Sequence, residues 1–282
     1  GDDLINRKLH AALAAGLRPI LCVGETKPQR DAGTAEAIVV GQIFVAILAW
    51  YGIGSKIIPT PDEILGALPV LWNKGLGFEL YRSFLVNLKS LFIAFVLSSL
   101  LAYSTVLPYG IGEFFRPIVK FISNLRFLGL VGLTLVFTLM TPDGHSLKIA
   151  LLVFGITTFM VTSLYSIVSN ISKERFDDAR TLRMTPMHVV WEVVVLGTAA
   201  DALDVLRQCA AISWTLLAAV EGLVRTEGGL GALMLTQDKY FNLSGVFAIQ
   251  FVILLVGLAF DFGIAGIRRK LCPYAYLSLE RK

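Results

Sequence analysis

The sequence predicts an all-α membrane protein with about six transmembrane helices, preceded by a short soluble α/β segment. First, 55% of the 282 residues are hydrophobic and only 16% are charged, whereas a soluble domain carries roughly 25% charged residues. Second, several charge-free runs approach the ~20 residues that a helix needs to cross the hydrocarbon core of a bilayer. Third, Lys and Arg are distributed unevenly between the predicted loops. These observations exclude a purely soluble enzyme and a secreted disulfide scaffold.

Six apolar runs are the predicted spans. Two of them are shorter than the others and are bounded by charged residues, which helix ends tolerate by extending the side chain toward water. In chain order the spans are Ala37–Ser55, Ser90–Gly112, Phe127–Pro142, Ile149–Ser172, Gln208–Val220 and Tyr240–Phe260. The predicted domains are therefore a soluble segment, 1–36, and a transmembrane domain surrounded by lipid, 37–282.

The basic residues predict the orientation of these spans. With six spans, 18 of the 25 Lys and Arg residues fall on the side that holds both termini, and the other 7 fall on the opposite side. Cytoplasmic loops carry the excess of Lys and Arg, so both termini are expected in the cytoplasm and the protein in the inner membrane. The first outer loop, Lys56–Lys89, is expected to contain a short interfacial helix in the run PTPDEILGALPVLW.

The fourth loop is long and charged, and it lies on the predicted cytoplasmic side. It reads KERFDDARTLRMTPMHVVWEVVV. We expect a polar helix from Lys173 to about Met184, a break at Thr185–Pro186, and a more apolar helix from Met187. A short helix held outside the membrane between two spans could transmit a push from a partner to those spans.

The run FDDARTLRMTPMHVVWEVVVLGTAADALDVLR resembles the EAA loop in permease subunits of binding-protein-dependent ABC importers, in the nitrate, sulfonate, taurine and bicarbonate branch. Asp177, Asp178 and Ala179 occupy the Glu-Ala-Ala positions. Arg183 stands where the family has Gly, and Val195–Leu196 stands where it has Leu-Pro. The resemblance continues in SKIIPTPDEILGAL and VEGLVRTEGGLGALM, and it covers about Val40 to Lys282.

The resemblance implies a type I ABC importer permease fold and a set of partners. These are a second copy of the permease in a homodimer, an ABC ATPase subunit, and a periplasmic or lipid-anchored substrate-binding protein. The solute would be a small oxyanion or sulfonate-like compound, and ATP would be hydrolysed by the partner and not by this chain. The residues expected to dock the ATPase are Arg175, Asp177, Asp178, Ala179, Arg183 and Met184. No cofactor, metal or nucleic acid is expected, and an ATP-independent secondary transporter or channel remains the alternative.

The first 42 residues resemble a different family, triosephosphate isomerase. The run LHAALAAGLRPILCVGE is similar to one helix and the following buried strand of that (β/α)8 barrel. His10 precedes the strand and Glu25 lies outside the family's catalytic glutamate motif, so no isomerase activity is expected. A natural fusion and a chimeric reading frame both explain such a segment.

A few polar residues near the predicted span ends are further candidates. Glu221 either faces the translocation path or caps the fifth span in outer water. Asp201, Asp204 and Arg207 share one helical face and are expected to pair with one another or with the loop helix. Arg183 is expected to disfavour the left-handed turn that the family's Gly allows.

Overall fold

A computed structural model describes residues 40–42, 45, 59–108 and 110–271. The isomerase-like segment, 1–36, lies outside the described residues, and so do Arg281 and Lys282. Of the first predicted span, Ala37–Ser55, only 40–42 and 45 are described, and these are helical. The chain divides into two units, Gly1–Thr60 and Pro61–Lys282, and the second is described below.

Helices connected by short turns make up the described part of the second unit. Short 3₁₀ turns lie at Leu125–Phe127 and Arg225–Glu227, and a π-helix lies at Val190–Leu196. The α-helices are α1 (Pro61–Asn73), α2 (Leu76–Ser104), α3 (Ile111–Asn124), α4 (Leu130–Met140), α5 (Gly144–Ser169), α6 (Lys173–Thr181), α7 (Pro186–Val189), α8 (Ala199–Leu223), α9 (Leu230–Lys239) and α10 (Leu243–Leu271).

Four of the described helices, α2, α5, α8 and α10, are long and apolar enough to cross a membrane, and a fifth span results if α3 and α4 are counted as one. The prediction that residues up to Lys89 form an outer loop is wrong, because α2 begins at Leu76 and contains both Arg82 and Lys89. The sequence suggested a loop because these two cations interrupt the apolar run. They lie seven residues apart, on one face, and do not break the helix.

The third predicted span, Phe127–Pro142, is also corrected. It is the second half of a bent pair, in which Ile111–Phe127 and α4 meet at 113°. Leu128 and Gly129 have extended backbones that separate the two helices. The 11 residues of α4 rise about 16 Å, which is about half of the ~30 Å hydrocarbon core.

Contacts between helix ends define two ends of the bundle. At one end, the loop end, Tyr103 of α2 lies 3.3 Å from Thr198 at the start of α8. At the other, the glycine end, Ser83 near the start of α2 donates a hydrogen bond to Glu221 near the end of α8, and Lys148 of α5 contacts Gly228. Helices α2 and α5 are therefore parallel and α8 is antiparallel to them. The chain from Ser104 to Gly144 must cross back between the two ends, which is the course of the α3–α4 pair.

The core lies between α2, α5 and α8. Its largest fully buried side chains include Leu151, Ile156 and Met160 of α5 and Leu217 of α8. Phe84 of α2 packs against Trp214 of α8 at 6.3 Å and edge-on against Phe260 of α10 at 5.8 Å. This packing holds α2, α5 and α8 together and so positions the polar residues at the loop end and at the glycine end.

Candidate functional site

The helix of the fourth loop, α6, presents its charges to solvent. It ends at Thr181, three residues before the predicted end at Met184. Arg175, Asp177, Asp178 and Arg183 are exposed and Met184 is half-buried. Ala179 is buried, so the small residue faces the protein while the acidic residues face outward. Asp177 forms an exposed ion pair with Arg180 at 3.3 Å.

The turn after α6 has the left-handed geometry that the family's Gly would provide. Arg183 has φ 55°, its N–H donates to the Arg180 carbonyl at 3.0 Å, and the Met184 N–H donates to the Ala179 carbonyl at 3.3 Å. This pattern is a Schellman motif, with Arg183 at the position where glycine is usual. The turn that Arg183 was expected to disfavour is therefore present, with arginine in the left-handed conformation. The two hydrogen bonds satisfy carbonyls that would otherwise lack partners, and they hold the strained residue in place.

Beyond the turn, the chain returns to the bundle through a short helix and a π-helix. α7 begins at Pro186, close to the predicted Met187, and leads directly into Val190–Leu196. The Gly197 N–H donates to the carbonyl of Glu192, five residues earlier, which is π-helical bonding. Such segments are frequent at functional sites.

At the loop end, two ion pairs join α8 to α10. Arg207 holds Asp261 through two hydrogen bonds, at 2.5 and 2.6 Å, and Arg268 lies 2.7 Å from Asp204. The expectation that Asp204 and Arg207 pair with each other or with the loop helix did not include these partners. Their partners lie on the last span, more than fifty residues away along the chain, and helical spacing alone could not indicate them.

At the glycine end, Glu221 is buried, with 1% of its surface exposed. One carboxylate oxygen accepts a hydrogen bond from Ser83 at 2.6 Å, and the other accepts one from the Gly231 N–H at 2.9 Å. The alternative that Glu221 caps its span in open water is therefore wrong. Both oxygens hold the turn that leads into α9.

The neighbouring residues complete this network around the turn. The Gly229 N–H donates to Glu79 at 2.5 Å, and the Leu230 N–H donates to Ser83 at 3.0 Å. Gly228 and Gly229 have φ 67° and 108°, a backbone conformation that glycine adopts readily and that separates α8 from α9. The amides at the start of α9 are thus satisfied by side chains from α2 and α8, as the first amides of a helix require.

A cavity of about 780 Å³ opens beside this network. One stripe of α2 and the start of α5 form much of its wall, and most of the lining is apolar. Its ionisable lining residues are Arg82, Lys89, His145, Lys148, Glu221 and Glu227. Because the sequence predicts a loop at Arg82 and Lys89, it does not indicate that these two cations line the same cavity as Lys148. Within the described residues, no group of three His, Cys, Asp or Glu side chains could hold a metal ion.

Two solved structures have a similar fold. An amino acid ABC transporter aligns with a TM-score of 0.56 and 14% identity, over 72% of this chain and 96% of that chain. The MetNI methionine ABC transporter, in inward-facing conformations, aligns with a TM-score of 0.56 and 21% identity, over 72% of this chain and 97% of that chain. The described helices have an ABC transporter permease fold. Together with the apolar helices, this fold indicates a multi-pass membrane protein.

The N-terminal segment is similar to a different family. The triosephosphate isomerase family matches residues 1–52, which overlaps the predicted first span from Ala37 onward. The enzyme of Roseiflexus castenholzii is 66% identical over 80 residues, 27% of this chain and 28% of that protein. The enzyme of Chloroflexus aurantiacus is 68% identical over 47 residues, 17% of this chain and 19% of that protein. The chain spans less than a third of the length of these curated relatives.

Proposed function

We propose that this chain is the transmembrane permease subunit of an ATP-driven ABC importer in the inner membrane. The observation that carries the proposal is α6, a charged helix between two spans, in a chain with an ABC transporter permease fold. A cytoplasmic ATPase would grip the exposed Asp177, Asp178 and Arg183. Its closure would move α5 and α8 through the loop and switch the pore between two states.

The complete transporter would contain two copies of this permease, two ATPase subunits and a periplasmic or lipid-anchored substrate-binding protein. Both termini of the permease would lie in the cytoplasm, on the side of the loop end. The solute would be a small oxyanion or sulfonate-like compound, as in the branch that the EAA-like loop resembles. Three cations and two carboxylates line one cavity, and this excess of one positive charge supports an anionic solute. The isomerase-like segment would be an appended fragment without isomerase activity.

Charge reversal on α6 tests the importer proposal. Asp177→Lys combined with Asp178→Lys should leave membrane insertion intact, because added cytoplasmic cations reinforce the orientation. It should release the ATPase subunit that co-purifies with the wild type, since mismatched charges across a docked surface typically cost several kcal/mol. Asp238→Lys is the control. It reverses the charge of an exposed residue on α9, so co-purification of the ATPase should be unchanged.

Two outcomes would contradict the importer proposal. Undiminished co-purification and uptake in the double variant would mean that α6 is not the coupling element. A wild-type permease that retains no ATPase, yet transports its solute without ATP, would favour a secondary transporter or channel.

A further inference from the structure

We propose that the cavity beside α2 and α5 is a water-filled site for one anionic group, and that Lys89 is the side chain that attracts it. The proposal rests on the proposed function only in taking this anion to be the transported solute. The two ideas are tested separately below.

The position of Lys89 is the first observation. It lies thirteen residues after Leu76 in a 29-residue helix, about 20 Å along a helix of about 43 Å. The helix has a mean hydropathy of 2.0 over its most apolar window. A charged side chain near the centre of such a helix is costly against lipid, and it usually faces a cavity or a water path that serves function.

The partners of the neighbouring charges are the second observation. Arg82 pairs with Glu227 at 3.5 Å, and Lys148 donates a hydrogen bond to the Gly228 carbonyl at 2.5 Å. Lys89 is exposed on the cavity wall, and within the described residues it makes no ion pair or hydrogen bond. Of the three Lys and Arg side chains that line the cavity, Lys89 is therefore the one left to meet a ligand.

The charge balance indicates the sign of that ligand. Three cations and two carboxylates line the cavity, a formal excess of one positive charge with His145 neutral. Both oxygens of Glu221 are already hydrogen-bonded, so this carboxylate is committed to the turn before α9. Leu85 and Phe92 add apolar surface on either side of Lys89. A small anion with an apolar part fits this lining, because low-dielectric walls strengthen the attraction of one free cation.

Thiol labelling measures this attraction without knowledge of the solute. Leu85→Cys is placed on the cavity wall of the full-length permease in nanodiscs, with Cys22, Cys209 and Cys272 replaced by Ser. The probes are a sulfonate-bearing and a trimethylammonium-bearing methanethiosulfonate. Their rate ratio removes any effect on thiol reactivity that both reagents share. We expect both reagents to react and Lys89→Gln to lower the anionic-to-cationic ratio by about fivefold or more.

Two further variants control for structure and for general charge. Lys89→Arg should keep the ratio within about twofold, because it keeps the charge in the same cavity. Lys74→Gln, which removes an exposed cation in the turn before α2, should leave the ratio unchanged. Failure of Leu85→Cys to react with either reagent would overturn the proposal, because the cavity would then be covered by lipid or by a second copy of the permease. A ratio unaffected by Lys89→Gln would overturn it as well.

The permease alone is labelled, so the result does not depend on an ATPase. Charge-dependent labelling in a protein that never retains an ATPase would refute the importer proposal and leave the anion site standing. ATPase binding together with charge-independent labelling would refute the anion site and leave the importer proposal standing.

Discussion

The two ends of the helix bundle use charged residues in opposite ways. At the glycine end, Glu221 is 1% exposed and both of its oxygens are hydrogen-bonded within the chain. At the loop end, Asp177 and Asp178 lie on a short helix with their side chains in solvent. A buried carboxylate that accepts internal hydrogen bonds is costly to remove, because its donors are then left without an acceptor. Exposed charges on a helix outside the spans are instead accessible from solvent. Acidic side chains thus have partners within the chain at one end and are exposed to solvent at the other.

The largest effect is expected from Glu221→Ala. Removal of this carboxylate leaves the Gly231 amide and the Ser83 hydroxyl without their buried acceptor, which should lower the free energy of unfolding by about 3 kcal/mol. SDS-induced unfolding of the purified protein measures the change. Asp178→Ala, at an exposed position on α6, should shift the free energy by less than about 0.5 kcal/mol. Equal effects at the two sites would contradict the structural role of the glycine end.

Gly229→Ala tests the same end from the backbone side. Gly229 has φ 108°, and an added Cβ would collide with the carboxyl group of Glu221. We expect a loss of about 2 kcal/mol in the free energy of unfolding. Gly66→Ala is the matched control, since Gly66 lies in α1 with nothing within 4 Å of an added Cβ, and it should stabilise the protein slightly. A neutral Gly229→Ala would mean that the turn is not held by Glu221.

Arg183→Gly should have the smallest effect and the opposite sign. Arg183 holds φ 55°, a conformation that costs a non-glycine residue about 1 kcal/mol or more, so glycine should protect the amides of α6 from hydrogen exchange by about 1 kcal/mol. Arg175→Gly, inside the same helix, should instead reduce that protection by about 1 kcal/mol. If both substitutions reduced protection, the left-handed turn would be absent in solution.

The sequence predicted what depends on composition and local pattern. Runs of apolar residues indicated α2, α5, α8 and α10, although their ends moved by many residues. The spacing of charges and Thr185–Pro186 indicated α6 and the break after it. The double glycine before α9 is a local signal of the same kind, because Gly readily adopts the positive φ found at Gly228 and Gly229.

Features that depend on contacts distant in sequence could not be predicted. Asp261 and Arg268 lie far from Arg207 and Asp204, so no local spacing indicates their pairing. A cation beside an apolar run is typical of a span boundary, so the sequence predicts a loop at Lys89, whereas the structure places it on a cavity wall within α2. The Schellman turn forms at Arg183 although arginine disfavours a positive φ, because the hydrogen bonds on either side determine the geometry of the turn.

The importer proposal requires most directly that the loop end faces the cytoplasm. Arg183→Cys places one thiol in the turn after α6, and Asp238→Cys places one on α9. In each variant the native cysteines are replaced by Ser. Labelling with a membrane-impermeant maleimide should modify Asp238→Cys only in spheroplasts and Arg183→Cys only in inverted vesicles, as the excess of Lys and Arg on the loop side predicts. Labelling of Arg183→Cys in intact spheroplasts would place α6 outside the cell, away from any ATPase, and would contradict the proposal.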